Sequence, residues 1–117
     1  MTKTTGPTNP NLKDLIRELK TLSAKENVKI WKAVAKNLEK PARRKKVVNI
    51  FKINKYTRDG ETAVVPGKVL SLGELKKNIK VAAFQFSDAA KEKIKNMMSI
   101  QQLIKENPKG KRVRIIK

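Results

Sequence analysis

Ile79-Lys80-Val81-Ala82-Ala83-Phe84-Gln85-Phe86 is the stretch on which the fold turns. Its apolar residues run almost without a break, the pattern of a strand in the middle of a sheet. Ser87 follows as a helix cap, with Asp88 and Glu92 near the positive end of the dipole and Ala90, Ile94 and Met97 as the inner face. Ser99-Ile100-Gln101-Gln102 matches a capping box and predicts a short helix over 100–106. Asn107-Pro108-Lys109-Gly110 stops that helix, and Val113 to Ile116 closes the chain as a strand set among Lys111, Arg112, Arg114 and Lys117. Upstream, Thr62–Val65 reads as a strand ended by Pro66-Gly67, and 68–75 as an irregular connection. Asp59-Gly60 is a turn, Ile53–Thr57 one helical turn, and Val47–Phe51 a short strand.

The first forty residues have a different period. Leu12, Leu15, Ile16, Leu19 and Leu22 form one apolar stripe, which predicts a helix over 10–25 with Asn9 as cap and Pro10 at the first helical position. Asn27 is read as the cap of a second helix whose stripe is Ile30, Trp31, Val34, Ala35 and Leu38, ending before Pro41. Trp31 shares the spacing of Val34 and Ala35 and is therefore assigned to the core. Residues 1–8 read as a flexible arm, and 9–117 as a single domain. The class is α/β: an N-terminal helical hairpin plus a small mixed sheet.

Composition narrows the chemistry. The 117 residues hold 29 Lys plus Arg against 10 Asp plus Glu, a net charge of +19, with no Cys and no His. That removes disulfides, thiol nucleophiles, zinc-finger ligand sets and a histidine base. No apolar run approaches the roughly 18 residues of a membrane span, and Met1–Pro7 leads into no signal-peptide core. An intracellular, soluble protein is the plain reading. Residues 1–50 carry 13 basic against 4 acidic side chains, and 51–117 carry 16 against 6. Cations on both halves fit a polyanion that touches several faces, which points to nucleic acid.

Enzymatic readings fail on residues. Pro66-Gly67-Lys68 lacks both the upstream glycine spacing of a phosphate loop and a hydroxyl after the lysine, since Val69 follows. Asp59 and Glu61 flank a turn glycine and are read as turn chemistry, not as a metal pair. The informative element is Lys40-Pro41-Ala42-Arg43-Arg44-Lys45-Lys46, five cations in seven residues. It is either a solvated linker or a phosphate clamp. In the second case Arg43 and Arg44 make bidentate contacts and Lys40, Lys45 and Lys46 act as point charges. Tyr56, between Lys55 and Arg58, either stacks on an unpaired base or packs over the edge of the core.

Several segments then carry a resemblance. They are Thr8-Asn9-Pro10, Ile30-Trp31 through Lys40-Pro41, Val48-Asn49-Ile50 into Lys52-Ile53-Asn54-Lys55-Tyr56-Thr57, and Val64-Val65-Pro66-Gly67-Lys68-Val69-Leu70. Val81-Ala82-Ala83-Phe84 and Glu106-Asn107-Pro108 belong with them. Together, over 8–117, they resemble the archaeal and eukaryotic large-subunit ribosomal proteins numbered eighteen ("L eighteen-e"), relatives of the bacterial large-subunit protein numbered fifteen. The resemblance implies an α/β fold of irregular strand–strand–helix units, a cytoplasmic large-subunit location and binding of large-subunit ribosomal RNA beside neighbouring ribosomal proteins. It implies no catalysis, no cofactor, no small-molecule substrate and no membrane. Family members carry a glycine turn and short strand between their last two helices. Asn96-Met97-Met98-Ser99 is compressed there, so no regular strand is expected.

Arg43, Arg44, Lys52, Lys55, Tyr56 and Lys68 lie on the matched basic segments, and Lys40, Lys45, Lys46 and Arg58 are added from charge and neighbourhood. The expected function is a structural constituent of the large ribosomal subunit that supports folding and assembly of its RNA. The competing readings are a free nucleic-acid chaperone or chromatin-like DNA binder and, further off, a small phosphoryl-transfer enzyme.

Overall fold

A computed structural model describes residues 10–39 and 46–117. The elements in chain order are α1 (Pro10–Glu26), α2 (Lys29–Leu38), β1 (Lys46–Asn49), α3 (Ile50–Tyr56), β2 (Thr62–Leu70), β3 (Lys80–Phe86), α4 (Asp88–Lys93), β4 (Met97–Ser99), α5 (Ile100–Glu106) and β5 (Val113–Ile115). The strands make one sheet ordered β1-β2-β3-β4, with β5 also pairing β2. Side chains alternate across it and so feed two cores. Val64 and Ala82 join Leu15, Leu19, Trp31, Leu38 and Leu103 from α1, α2 and α5. Ala63, Val65, Val81 and Ala83 join Ile50, Ile53 and Ala90 from α3 and α4. This is why Val81, Ala82 and Ala83 are apolar in succession: both faces of β3 are covered.

The α/β class, the helical hairpin and the buried strand stand. The expected sheet is mixed, but every pairing among the described residues is parallel. A helix or a long connection lies between successive strands, and that returns each strand in the same direction. The strand expected over 47–51 ends at Asn49, and Ile50 opens α3. Ile50 and Ile53, three apart, are both fully buried, so helical spacing wins over β-branching. The single turn expected at 53–57 is the second half of that helix.

Pro66-Gly67 does not end its strand. β2 runs through to Leu70, pairing β5 over Thr62–Val64 and β1 over Gly67–Leu70 on one edge. The proline falls where partners change, so its missing N–H removes no ladder bond from that edge. The register with β3 shifts between Val65 and Lys68, a bulge at the same place.

Three further corrections concern ends. Asn27 does not cap α2: its φ of 56° puts it in the left-handed region, and Val28 is the cap residue. Asn27 instead terminates α1, with the Val28 amide donating to the Ser23 carbonyl at 3.1 Å. Residues 97–99 do form a strand, β4, with Met97–Ser99 opposite Val81–Ala83. The Val81 amide donates to the Asn96 carbonyl at 2.8 Å, so three residues suffice to hold that edge. Met97 therefore leaves the inner face of α4, which stops at Lys93, and is 39% exposed. Both serine caps hold: Ser87 Oγ accepts from the Ala90 amide at 3.1 Å and Ser99 Oγ from the Gln102 amide at 3.0 Å. The Asn9 cap and the 1–8 arm lie outside the described residues.

Candidate nucleic-acid interface

α3 positions three of the described candidates, Lys52, Lys55 and Tyr56. It is short, and its buried side is the Ile50 and Ile53 pair. Lys52 and Tyr56 are one turn apart and share a flank. They face β5 across a groove of about 450 Å³ lined by Lys52, Tyr56, Arg114, Ile115, Ile116 and Lys117. Lys52 Nζ donates to the Lys117 carbonyl at 2.7 Å, which leaves ammonium protons over for a second acceptor. The Lys55 ammonium lies 5.4 Å from the centroid of the Tyr56 ring. Tyr56 is 53% exposed, so it lies outside the buried core.

Arg114 is committed elsewhere. Its Nε and Nη2 donate to the two carboxylate oxygens of Glu61, each at 3.0 Å. The Arg58 amide donates to the same carboxylate at 2.8 Å. The Arg114 bonds, with that amide second, hold Glu61 down at about 2, against an ordinary 4.5. Glu61 thus fixes β5 to the turn before β2, and Arg114 walls the groove with its charge already matched. Asp59 Oδ1 accepts from the Asn78 amide at 2.8 Å, 19 residues along the chain, so this carboxylate ties the turn to the segment before β3 and does not act within the turn itself.

The candidates do not form one patch. Lys68, exposed on β2, lines a separate hollow of about 570 Å³ with Gln85, Lys91 and Met97–Ser99. Arg58 is exposed just beyond α3, with its backbone engaged by Glu61. Lys46 contributes its backbone to β1. Lys40, Arg43, Arg44 and Lys45 lie outside the described residues. Sequence reasoning missed Lys117 and the exposed ring of Phe51. The first belongs to the groove through a partner 65 residues away; the second falls, by its apolar neighbours in the chain, to a strand that does not include it.

Among the described residues the ion pairs are Arg17–Asp14, Lys20–Glu39, Lys91–Asp88 and Arg114–Glu61. Most of the described cations therefore have no carboxylate partner within the fold and remain available to external anions. Pro66-Gly67-Lys68 sits inside β2, where its backbone is engaged in the sheet and does not curl into a phosphate loop. No metal-ligating cluster forms among the described residues, and no described helix is long and apolar enough to cross a membrane.

The family model that describes the ribosomal proteins 50S-L15 and 50S-L18e, together with their 60S counterpart, matches residues 16–98. Relatives named "Large ribosomal subunit protein eL18" align over nearly the whole chain. That of Methanoregula boonei is 46% identical over 100% of both chains. Those of Methanococcus maripaludis and Archaeoglobus fulgidus are 49% and 48% identical, covering 93% and 92% of this chain and 94% and 96% of theirs.

Proposed function

The chain belongs to the L15/L18e family of ribosomal proteins, and from that membership we propose that it is a structural constituent of the large ribosomal subunit that binds ribosomal RNA and supports its folding and assembly. Its partners are then large-subunit RNA and the ribosomal proteins beside it, and its part in translation is binding, not catalysis. The observation that carries the reading is the net charge of +19, with only Arg17, Lys20, Lys91 and Arg114 among the described cations paired to a carboxylate within the fold. Phosphates of closely packed RNA helices repel, and a cationic body between them relieves that repulsion. Arg43 and Arg44 bridge phosphates in this reading. Lys40, Lys45, Lys46, Lys52, Lys55, Arg58 and Lys68 neutralise neighbouring backbone, and the 1–8 arm lies against RNA.

A sucrose gradient of native lysate, probed for this chain, tests the proposal. The expected result is co-sedimentation with the large subunit in low salt. If about eight phosphates are engaged, binding to purified RNA falls by several orders of magnitude over a fourfold rise in salt, by analogy with DNA counterion release. Recovery at the top of the gradient, with equal affinity for duplex DNA, would favour the free chaperone or DNA binder and overturn the proposal.

A further inference from the structure

Helix α3 has an ordered outer surface. At about 100° per residue, Phe51, Lys55, Lys52 and Tyr56 fall at roughly 0°, 40°, 100° and 140° around the axis. Ile53 and Ile50 occupy the opposite arc and are fully buried. The outward side therefore reads aromatic, lysine, lysine, aromatic. Phe51 and Tyr56 are 52% and 53% exposed, and the helix bears no carboxylate.

Both flanks are anchored. On the Phe51 side its amide donates to the Leu72 carbonyl at 2.9 Å, and Asn54 Oδ1 accepts from the Lys76 amide at 2.9 Å. Gly73 lies so close that a Cβ there would meet Phe51 Cβ at 2.5 Å. Lys93 Nζ holds this loop by donating to the Ser71 and Gly73 carbonyls at 2.8 and 3.2 Å. On the other side Lys52 is tied to Lys117. The backbone under each ring is thus fixed while much of each side chain remains in solvent, and an exposed phenyl ring has no hydration role of its own.

We propose that α3 recognises unpaired RNA nucleotides, with Phe51 and Tyr56 stacking on splayed bases while Lys52 and Lys55 hold the phosphates between them. The proposal rests on the RNA-binding reading and narrows it to bulges and junctions, as opposed to continuous duplex. A duplex presents its phosphates but hides the flat faces of its bases; unpaired bases expose theirs. The lysine pair with no carboxylate on the helix favours a polyanion over an apolar protein surface. Lys55 lies over one face of Tyr56, so in this arrangement the base stacks on the opposite face.

The test uses the full chain and two labelled RNA hairpins, one with a continuous stem and one interrupted by a bulge of unpaired adenosines that includes a fluorescent adenine analogue. The expected result is about tenfold tighter binding of the bulged hairpin, with quenching of the analogue. Phe51→Ala with Tyr56→Ala abolishes both the preference and the quenching. Phe51→Trp with Tyr56→Phe retains them, which separates loss of stacking from loss of fold. Equal affinity of the unaltered protein for both hairpins, or a preference that survives the alanine pair, overturns the proposal and assigns the rings to a protein contact. Failure to bind either hairpin would strike at RNA binding itself and remove the proposal with it.

Discussion

Trp31 is the strongest test of how the N-terminal helices and the C-terminal strand are joined. Its indole is fully buried in α2, and Nε1 donates to the Pro108 carbonyl at 2.7 Å, across 77 residues of chain. The 107–111 turn is closed on itself by Asn107, whose side chain accepts from the Lys111 amide and donates to its carbonyl. The indole bond therefore ties a self-contained turn to the core. Trp31→Phe removes that bond, a net loss of about 1 kcal/mol, held to the low end because Pro108 is only half-buried. The smaller ring also opens roughly 40 Å³, about 1 kcal/mol of cavity by the ~24 cal/mol per Å³ scaling, plus the transfer energy of the lost atoms. The sum is about 2–3 kcal/mol, and Trp31→Ala should reach about 4–5 kcal/mol. Urea unfolding followed by circular dichroism measures both; fluorescence does not serve, because Trp31 is the sole tryptophan. The midpoint should fall with the slope unchanged. A Trp31→Phe protein within about 0.5 kcal/mol of the parent would refute the idea that this bond and volume join the two ends.

The Glu61–Arg114 pair predicts an acid limb. A carboxylate held at about 2 against an ordinary 4.5 contributes stability that is complete above about pH 4.5 and lost as the pH falls toward 2. The gap between the parent and Glu61→Gln in urea midpoint should therefore narrow over that interval; a constant gap would show that the pair does not report on folding. Gly73→Ala should destabilise by about 2–4 kcal/mol, from a strained backbone plus overpacking, since φ is +106° and the added Cβ meets Phe51. Gly110→Ala, at φ +66° with its nearest contact at 3.0 Å, should cost only about 1–2 kcal/mol. Thermal melts of the two variants would show the order, and the reverse order would contradict the packing of the 71–73 loop on α3.

Local signals in the chain were legible where one physical effect dominated. The leucine stripe of α1, the serine caps of α4 and α5 and the near-continuous apolar run of β3 each come from patterning or capping within a few residues. Misreadings arose where two effects competed. Asn27 suits either a cap or a left-handed helix end, and the Ser23–Val28 bond selects the second. Pro66-Gly67 signals a stop in isolation, yet its strand continues because two different neighbours share one edge there. β4 has only three residues and owes its existence to pairing with β3.

The candidate site divides along the same line. Lys52, Lys55 and Tyr56 were visible as charge and aromaticity close together in the chain, whereas Lys117 enters the groove through contact with Lys52, and Phe51 reaches the outer face of α3 because Ile50 and Ile53 take the buried one. The amino-acid order alone determined the class, the helical hairpin, the cation surplus and the absence of thiol and imidazole chemistry, because composition and short-range periodicity need no partner to be read. Strand direction, the length of β2, the start of α3 and the convergence of α3 with β5 were decided by the folded chain. Each depends on which distant backbone supplies a hydrogen bond or covers an apolar face, and that information exists only once the layers have packed.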